Sequence, residues 1–372
     1  MKTILHIIDT TGPGGAETIF IDLATRLPKE KYRSVVVIRG KGWVYDELCR
    51  RGVKPFLLDA KGSFNWRYLL ALRKLIKREG IDLIQSHLLG SNVYSALVGL
   101  LARKPVIATF HGAVDIDEAE RFMGLKFGLI NRGSSKIIAV SESLRHEIAN
   151  RTPLRASKTD IIYNGIDTVE FEREKSNEFR QQFGWAEEDF IIGSLGNIRP
   201  AKAYDILLQA AALLDNSTKT CRFVIAGQSA SKGKSSRLYK KLLELRESLN
   251  LQNHVKFVGF VNDPADFLSK IDLFLLSSSS EGFSISTIQA MASSLPVIAT
   301  RSGGPEEIVT HKKNGWLIEK NNPVVMAEAI SLLSCDPDKC AQLASNAKVK
   351  VGDSFGLAAM LRAYQALYAV FI

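Results

Sequence analysis

Residues 277–307 read SSSSEGFSISTIQAMASSLPVIATRSGGPEE, and this stretch decides the fold class. An apolar run, residues 273–276, precedes the stretch, and a second apolar run, residues 295–300, lies inside it. The segment between the two runs, which includes residues 289–292, predicts a helix that follows a polar loop. A helix that connects two short buried strands is typical of a parallel sheet with helices on both faces.

The same alternation of strands and helices extends over most of the chain, in two successive sets. Short apolar runs predict strands of a first set at residues 4–8, 34–38, 83–86, 106–109 and 136–140, and of a second set at residues 190–195, 222–226, 255–258, 273–276 and 296–299. Amphipathic stretches, residues 17–27 and 66–78 among them, predict intervening helices. The sequence therefore predicts an α/β protein with two Rossmann-like, doubly wound parallel sheets that face each other across a nucleotide-binding cleft.

The domain boundary is expected near residues 165–167. A polar stretch without a strand pattern, residues 169–188, follows this position and separates the two sets of strands. The first domain is therefore predicted to span residues 1–167 and the second residues 168–354. The apolar C-terminal stretch, residues 355–372, predicts one further helix with no strand after it.

The composition is that of an ordinary globular protein. Of the 372 residues, 46% are hydrophobic and 24% are charged, which excludes a disordered or fibrous chain. The apolar runs are shorter than the ~20 residues of a membrane span. The N-terminal apolar stretch lacks a small-residue cleavage site, so we interpret it as a first strand and not as a signal peptide. Four scattered cysteines, without metal-ligand spacing, predict reduced structural thiols in a cytoplasmic protein.

The positive charge is concentrated in the first half of the chain. The formal net charge is +10, and residues 1–168 hold 26 Lys and Arg against 17 Asp and Glu. This balance predicts an anionic ligand or surface for the first domain. Two basic amphipathic stretches could contact an anionic bilayer or simply pack on the sheet. We interpret residues 66–78 as a helix that packs on the sheet. For residues 120–132, packing on the sheet and contact with a bilayer both remain open. Nucleic acid is disfavoured because stacking aromatic residues do not alternate with the basic ones.

Two loops of the first domain carry candidate binding residues. Residues 11–17, Thr-Gly-Pro-Gly-Gly-Ala-Glu, follow the first strand, and their glycines would let backbone N–H groups approach a phosphate. The loop departs from the dinucleotide fingerprint because Glu17 stands where a third glycine is required, and a bare tight turn is the alternative. His111 follows the predicted strand 106–109, where an imidazole would point into the cleft unless it is merely structural.

The second domain carries a second group of candidates. Arg199 and Lys202 lie three residues apart at a strand-to-helix turn, where both could reach one diphosphate. Glu281 can accept hydrogen bonds from sugar hydroxyls, and Gln289 can hydrogen-bond a ribose diol. The backbone N–H groups of residues 283–285 can contact a phosphate or sugar oxygen.

Taken in order along the chain, these motifs resemble those of the retaining glycosyltransferases of the GT-B fold, specifically family 4. The resemblance rests on the glycine loop, Phe110-His111-Gly112, residues 140–143, residues 163–167, the Arg199/Lys202 turn and Glu281-Gly282-Phe283. It implies transfer of a sugar, with retention, from a nucleotide-sugar to a lipid-linked or saccharide acceptor in surface polysaccharide, lipopolysaccharide or glycolipid synthesis. UDP is the expected nucleotide. The resemblance further implies no metal and no cofactor other than the donor, and a cytoplasmic enzyme that contacts the inner face of the membrane peripherally.

The resemblance also implies a role for each candidate residue. Arg199 and Lys202 would hold the donor's diphosphate, His111 would contact the transferred sugar, and Glu281 would bind its hydroxyls. Further donor contacts are expected from Gly14, Gly15, Gly282, Phe283, Ser284, Ile285 and Gln289. The C-terminal helix, residues 355–372, would pack back on the first domain. Two departures from the family pattern are Asn197, where arginine is commonest, and Gln289, where the family has a second glutamate, which predicts weaker donor binding.

Other readings of the sequence were weighed. Residues 227–235 resemble a phosphate-binding loop of NTPases, but five residues separate the first glycine from Gly-Lys-Ser, where the motif requires four. Asp115-Ile116-Asp117 matches the metal-binding triplet of the other glycosyltransferase fold, although such triplets are common by chance. A nucleotide-sugar epimerase shares the GT-B fold. A nucleotide-sugar-binding protein that has lost activity is the non-enzymatic alternative, and it rests on Gln289 alone.

Overall fold

The computed structural model describes residues 1–60, 64–116, 122–215, 219–229 and 234–372. The chain divides into two compact units. The first unit comprises Met1–Gly165 together with Ala358–Ile372, and the second comprises Ile166–Leu357. The predicted domain boundaries, residues 167 and 354, lie close to these changes of unit.

The first unit contains a seven-stranded sheet in which every neighbouring pair of strands is parallel. Its strands are β1 (Lys2–Ile8), β2 (Tyr32–Ile38), β3 (Phe56–Leu57), β4 (Leu83–His87), β5 (Val106–Phe110), β6 (Lys136–Ala139) and β7 (Thr159–Ile161). Its first helices are α1 (Gly15–Arg26), α2 (Trp43–Arg50), α3 (Trp66–Glu79), α4 (Leu89–Ala102), α5 (Met123–Gly133) and α6 (Glu142–Arg151). The strand order is β3-β2-β1-β4-β5-β6-β7. Every residue of β4 and β5 is buried, as expected for strands covered by helices on both faces.

The second unit contains a six-stranded parallel sheet in the order β10-β9-β8-β11-β12-β13. Its strands are β8 (Phe190–Leu195), β9 (Cys221–Ala226), β10 (Val255–Gly259), β11 (Leu273–Leu276), β12 (Val297–Thr300) and β13 (Trp316–Ile318). Its helices are α7 (Glu178–Phe183), α8 (Tyr204–Ala212), α9 (Lys234–Ser248), α10 (Pro264–Ser269), α11 (Ile285–Ala292), α12 (Pro305–Ile308), α13 (Pro323–Ser334) and α14 (Pro337–Ser354). Both sheets are doubly wound and parallel, which confirms the predicted fold class.

The last helix, α15 (Leu357–Ala369), contributes to the first unit. Tyr364 and Tyr368 are its most deeply buried side chains, at 1% and 0% exposure. The backbone N–H of Gly165 points at the Met360 sulfur at 3.2 Å. Just before the helix, Gly356 forms a parallel bridge with Ile166 inside the second unit. The predicted helix of residues 355–372 is therefore shorter at both ends than expected.

Each sheet has a point at which the winding reverses. In the first sheet β1 lies between β2 and β4, and in the second sheet β8 lies between β9 and β11. At such a point the loops after the two central strands diverge and leave a crevice where ligands bind in doubly wound proteins. The loop of residues 11–17 follows β1, and the loops that contain Arg199 and Glu281 follow β8 and β11.

Several features lay beyond the sequence prediction. The strands β3, β7 and β13 have only two or three residues each, too few to show a periodic pattern.

Local signals do account for helix ends: the Asn65 side chain accepts from the N–H of Tyr68 at the start of α3, and Gly80 ends that helix at φ 60°. In the described part of the chain, each helix is too short or too polar to cross a bilayer.

Candidate functional site

A buried ion pair joins the loops after β8 and β11 at the reversal point of the second sheet. Lys202 Nζ donates to Glu281 Oε1 at 2.6 Å, and Ser278 Oγ donates to the same oxygen at 2.5 Å. The Lys202 and Glu281 side chains are only 19% and 12% exposed. The structure therefore brings two sequence-predicted site residues into direct contact and holds them largely out of water.

Main-chain geometry fixes the position of Lys202. Residues 200–202 form one turn of 3₁₀ helix, and Ala203 follows at φ 46°, a left-handed conformation that is unusual for a residue with a Cβ. Ser277 Oγ donates to the Lys202 carbonyl at 2.7 Å, and the Ser279 N–H donates to the Ala201 carbonyl at 2.8 Å. These two bonds connect the loops, so the lysine is held by the neighbouring strand as well as by its own.

A glycine makes room for the lysine stem. A Cβ built at Gly196 would lie 2.6 Å from Lys202 Cε, closer than such atoms approach in proteins. The carbonyl of Gly196 accepts a hydrogen bond from the Tyr204 hydroxyl at 2.8 Å. A side chain at position 196 would therefore displace Lys202 from its present position, independently of any ligand.

Arg199 lies on the same loop but in a different environment. Its side chain is exposed, and it has no hydrogen-bond or ion-pair partner in the described part of the chain. A guanidinium presents several donors in one plane and matches phosphate oxygens well. Arg199 can therefore bind an anion without first breaking an internal interaction, whereas Lys202 is already paired.

The segment after Glu281 leads into the start of α11. Ser284 precedes this helix without capping it, because its Oγ accepts from the Thr287 hydroxyl at 2.8 Å and not from a first-turn N–H. Among the described residues, the N–H groups at the start of α11 thus have no capping side chain, and uncapped N–H groups at a helix start can bind anions. Gln289, on the same helix, is 8% exposed, and its side-chain amide has no hydrogen-bond partner among the residues that the structure describes.

Residues 281–283 also pack directly on the chain after β12. The N–H of Glu281 donates to the Ser302 carbonyl at 2.7 Å, and the N–H of Gly304 donates to the Glu281 carbonyl at 3.0 Å. A Cβ built at Gly304 would lie 2.7 Å from Phe283 Cα, so these two segments touch through their backbones. The backbone at the predicted donor-binding residues Gly282 and Phe283 is thus held in place by residues 302–304.

In the first unit, His111 forms a pair with a second histidine. Its Nε2 lies 2.9 Å from Nδ1 of His87, and the two rings are stacked with centroids 5.1 Å apart. The main-chain N–H of His111 donates to Asp115 Oδ2 at 2.7 Å. Burial lowers the pKa of His111 to about 3 and raises the pKa of Asp115 to about 7. His111 is therefore neutral at physiological pH.

The glycine loop after β1 faces carboxylates. A Cβ built at Gly14 would overlap Oε2 of Glu17, so the Glu17 side chain folds back over the loop. Asp9 lies beside Gly90 at the start of α4, and burial raises the pKa of Asp9 to about 6. Because like charges repel, a phosphate that approaches Gly14 or Gly15 requires the Glu17 carboxylate to turn away.

Sequence reasoning overlooked His87. It ends the buried strand β4 just as His111 follows β5, so the signal that selected His111 was present for His87 too. Asp115 was weighed only as part of a metal triplet, whose Asp117 lies outside the described residues. The structure shows Asp115 as the acceptor of two main-chain N–H groups, from Leu89 and His111. Residues 230–233 of the NTPase-like loop also lie outside the described residues.

The sequence and the structure were compared with known proteins. The family model of the glycosyl transferases group 1 matches residues 175–350, and that of Glycosyltransferase Family 4 matches residues 13–170. Glycosyltransferase MJ1178 of Methanocaldococcus jannaschii is 31% identical over 283 residues, 74% of this chain and 72% of the relative. The capsular polysaccharide biosynthesis glycosyltransferase CapM of Staphylococcus aureus is 24% identical over 243 residues, 64% of this chain and 62% of the relative. The crystal structure of Anabaena HepE in complex with UDP-glucose superposes with a TM-score of 0.89 at 26% identity and covers all of both chains.

Proposed function

Because the chain belongs to glycosyltransferase family 4 and has the GT-B fold, we propose that it transfers a sugar from a UDP-sugar to a saccharide or lipid-linked acceptor with retention at the anomeric carbon. The observation that carries the proposal is the exposed Arg199 on the same loop as the lysine of the Lys202–Glu281 ion pair. UDP-glucose in the HepE crystal supports a uridine nucleotide, and the capsular role of CapM supports a saccharide acceptor.

The charges at this site fit a diphosphate leaving group. When the bond between the anomeric carbon and the diphosphate oxygen breaks, negative charge grows on the phosphate. Arg199, Lys202 and the N–H groups at the start of α11 would stabilise that charge. The same phosphate oxygen would accept the proton of the acceptor hydroxyl as that hydroxyl bonds to the anomeric carbon from the same face. The two cations would supply the charge that a divalent metal supplies elsewhere, so we propose a metal-independent reaction.

Glu281 would hold the sugar that is transferred. Both of its side-chain hydrogen bonds, from Lys202 and Ser278, go to Oε1, which leaves Oε2 able to accept from sugar hydroxyls. His111 would contact the same sugar, Gln289 would hydrogen-bond the ribose, and Gly14, Gly15 and residues 282–285 would complete the donor contacts. No catalytic base is needed in this scheme, which agrees with an ion-paired carboxylate at position 281.

Titration calorimetry with UDP, GDP, ADP and a panel of UDP-sugars tests the donor. We expect the wild-type protein to bind UDP or one UDP-sugar, and Arg199→Ala to weaken that binding about 10–100-fold, the loss of one or two charge-assisted hydrogen bonds. Lys339→Ala is the matched control. It removes a half-buried cation of α14 whose Nζ donates to Gln342 on the same helix, and it should leave the affinity unchanged.

The donor identified in this way is then used in turnover assays. Transfer with an unchanged anomeric configuration by NMR, at an undiminished rate in EDTA, supports the proposal. Inversion, or loss of activity in EDTA, overturns the corresponding part of it. Conversion of the donor into its epimer indicates an epimerase, and donor binding without turnover on any acceptor indicates the non-catalytic binding protein. If no nucleotide binds, the proposed function is wrong.

We further propose that the first unit contacts an anionic membrane through the surface around α5. Phe122 and Leu125 are each 67% exposed beside Lys126, and Val114 is 68% exposed. Such apolar side chains among cations suit the lipid–water boundary. Helix α3 is a weaker candidate because it packs its apolar face on the sheet, burying Tyr68, Leu72, Leu75 and Ile76.

Co-sedimentation with vesicles of phosphatidylglycerol and phosphatidylcholine tests this surface. We expect the protein to bind the anionic vesicles, and the double variant Phe122→Ser/Leu125→Ser to bind at least about tenfold more weakly, since each exposed side chain loses apolar contact. Leu213→Ser, which changes an exposed apolar residue of the second unit, is the control and should bind like the wild type. Equal binding of all three proteins would exclude this surface.

A further inference from the structure

A chain of hydrogen bonds runs through the interior of the first unit from the C-terminal helix to His111. The Tyr368 hydroxyl donates to Gln85 Oε1 at 3.1 Å, and Gln85 Nε2 donates to Thr109 Oγ1 at 2.9 Å. Gln85 Nε2 also lies 3.2 Å from His87 Nε2, and His87 Nδ1 lies 2.9 Å from His111 Nε2. Tyr368, Gln85, Thr109 and His87 are completely buried, so water does not compete for these bonds.

The direction of each bond follows from the orientation of the Gln85 amide, in which Oε1 faces the Tyr368 hydroxyl and Nε2 faces His87. A glutamine nitrogen can only donate, so the His87 Nε2 that faces it must be an unprotonated acceptor. A neutral imidazole carries a single proton, which in His87 must then lie on Nδ1 and be donated to His111 Nε2. Because His111 Nε2 accepts, the proton of the neutral His111 ring lies on Nδ1. Burial lowers the pKa of both imidazoles, so neither is a cation at neutral pH.

We propose that Gln85 and Tyr368 are positioning residues that fix His111 as the tautomer protonated on Nδ1, so that His111 donates a hydrogen bond to an oxygen of the sugar and does not act as a base. His111 is half-buried, and its Nδ1 has no hydrogen-bond partner within the described ranges. The identity of the acceptor oxygen as a sugar oxygen rests on the proposed function. The tautomer itself is a property of the ligand-free protein.

Long-range ¹H–¹⁵N NMR of protein labelled in its six histidines reads the tautomer directly. The His111 signals are assigned by their loss in His111→Asn. At neutral pH we expect a protonated Nδ1 and an unprotonated Nε2 for both His87 and His111. A protonated Nε2 on His111, or a doubly protonated ring, would overturn the proposal without any bearing on whether the protein transfers sugars.

The variant Gln85→Glu should reverse the direction of the hydrogen bonds at His87 and His111. A carboxylate can only accept, so His87 would donate through Nε2, and His111 would donate through Nε2 and keep a lone pair on Nδ1. We expect the opposite NMR pattern for both rings and a fall in transfer of about 10–100-fold, because the sugar oxygen loses its donor. Unchanged tautomers would contradict the positioning role. A reversed pattern with full activity would contradict the donation to substrate.

A milder variant covers the case in which a buried glutamate prevents folding. Tyr368→Phe keeps the ring but removes the bond that orients the amide, so we expect a mixture of both tautomers and about a threefold lower kcat. Tyr32→Phe is the control, since the Tyr32 ring packs edge-on against Tyr368 but the bond from Tyr368 to Gln85 does not involve it. If Tyr368→Phe kept one unchanged tautomer, the Tyr368 hydroxyl would not determine the direction of these hydrogen bonds.

Discussion

Replacement of Lys202 by alanine is expected to lower kcat for sugar transfer by about 10²–10³-fold, which is the effect of removing one preorganised group that stabilises developing negative charge. The same change should lower the free energy of unfolding by about 1–3 kcal/mol. The stability loss arises because the Glu281 carboxylate, 12% exposed, keeps Ser278 as a side-chain donor but loses its cation. Steady-state kinetics and urea unfolding measure the two effects.

A second variant tests the cause of the stability loss. In the double variant Lys202→Ala/Glu281→Gln the buried side chain at position 281 is neutral, so most of the lost stability should return while activity stays low. The stability coupling between the two sites in the double-mutant cycle then reports their interaction. If Lys202→Ala retained wild-type kcat, the assignment of this lysine to the leaving diphosphate would be wrong.

Replacement of Gly227 by alanine is expected to cost about 3 kcal/mol or more in the second unit, a severe case of overpacking. A Cβ at this position would overlap the carbonyl oxygen of Gly196 and lie 3.2 Å from Asn197 Cα. Both are backbone atoms, so no rotamer change can relieve the contact. The N–H of Gly227 also donates to the Gly259 carbonyl at 2.7 Å, which prevents the loop from moving away. We expect a Tm lower by about 6–12 °C.

The control for this variant lies in the same unit. Gly352 is in α14, and a Cβ there would meet nothing within 4 Å, so Gly352→Ala should raise stability by up to about 1 kcal/mol through helix propensity. Calorimetric unfolding compares the two variants. Because Gly227 packs on the loop that carries Arg199, Gly227→Ala should also weaken UDP binding. Wild-type stability in Gly227→Ala would show that the two loops are not in contact as described.

The sequence was sufficient for the main strands and the fold class because each buried strand of a parallel sheet is a short, nearly continuous apolar run. Strands of two or three residues carry no such signal, so β3, β7 and β13 were not predicted. Arg199 and Lys202 were selected as a pair at the turn after one predicted strand, and Glu281 was selected separately after another. Their arrangement was not accessible, since the Lys202–Glu281 contact joins residues 79 apart and exists only because β8 and β11 are neighbours.

The environment of His111 shows the same limit. Position alone identified the residue, and the equivalent position of His87 could have been used in the same way. The tautomer depends on Tyr368, which is 283 residues away from Gln85 and reaches it only because the last helix belongs to the first unit. The net charge predicts an anionic ligand for the first unit but gives no information about the glycine loop, where Glu17 covers Gly14. Such contacts are set by side-chain packing and not by a motif.

The return of α15 to the first unit bears on how these enzymes can be recombined. The chain passes between the units twice, at residues 165–166 and 357–358, and backbone hydrogen bonds of Ile166 with Phe355 and Leu357 join the two passages. In a chimera with a single junction near residue 165, α15 would come from a different parent than the rest of the first unit. Gln85 and Tyr368 would then come from different proteins. We therefore expect donor specificity to be exchanged between relatives by replacing residues 166–357, with a junction at each end. Replacing everything after residue 165 should not work as well.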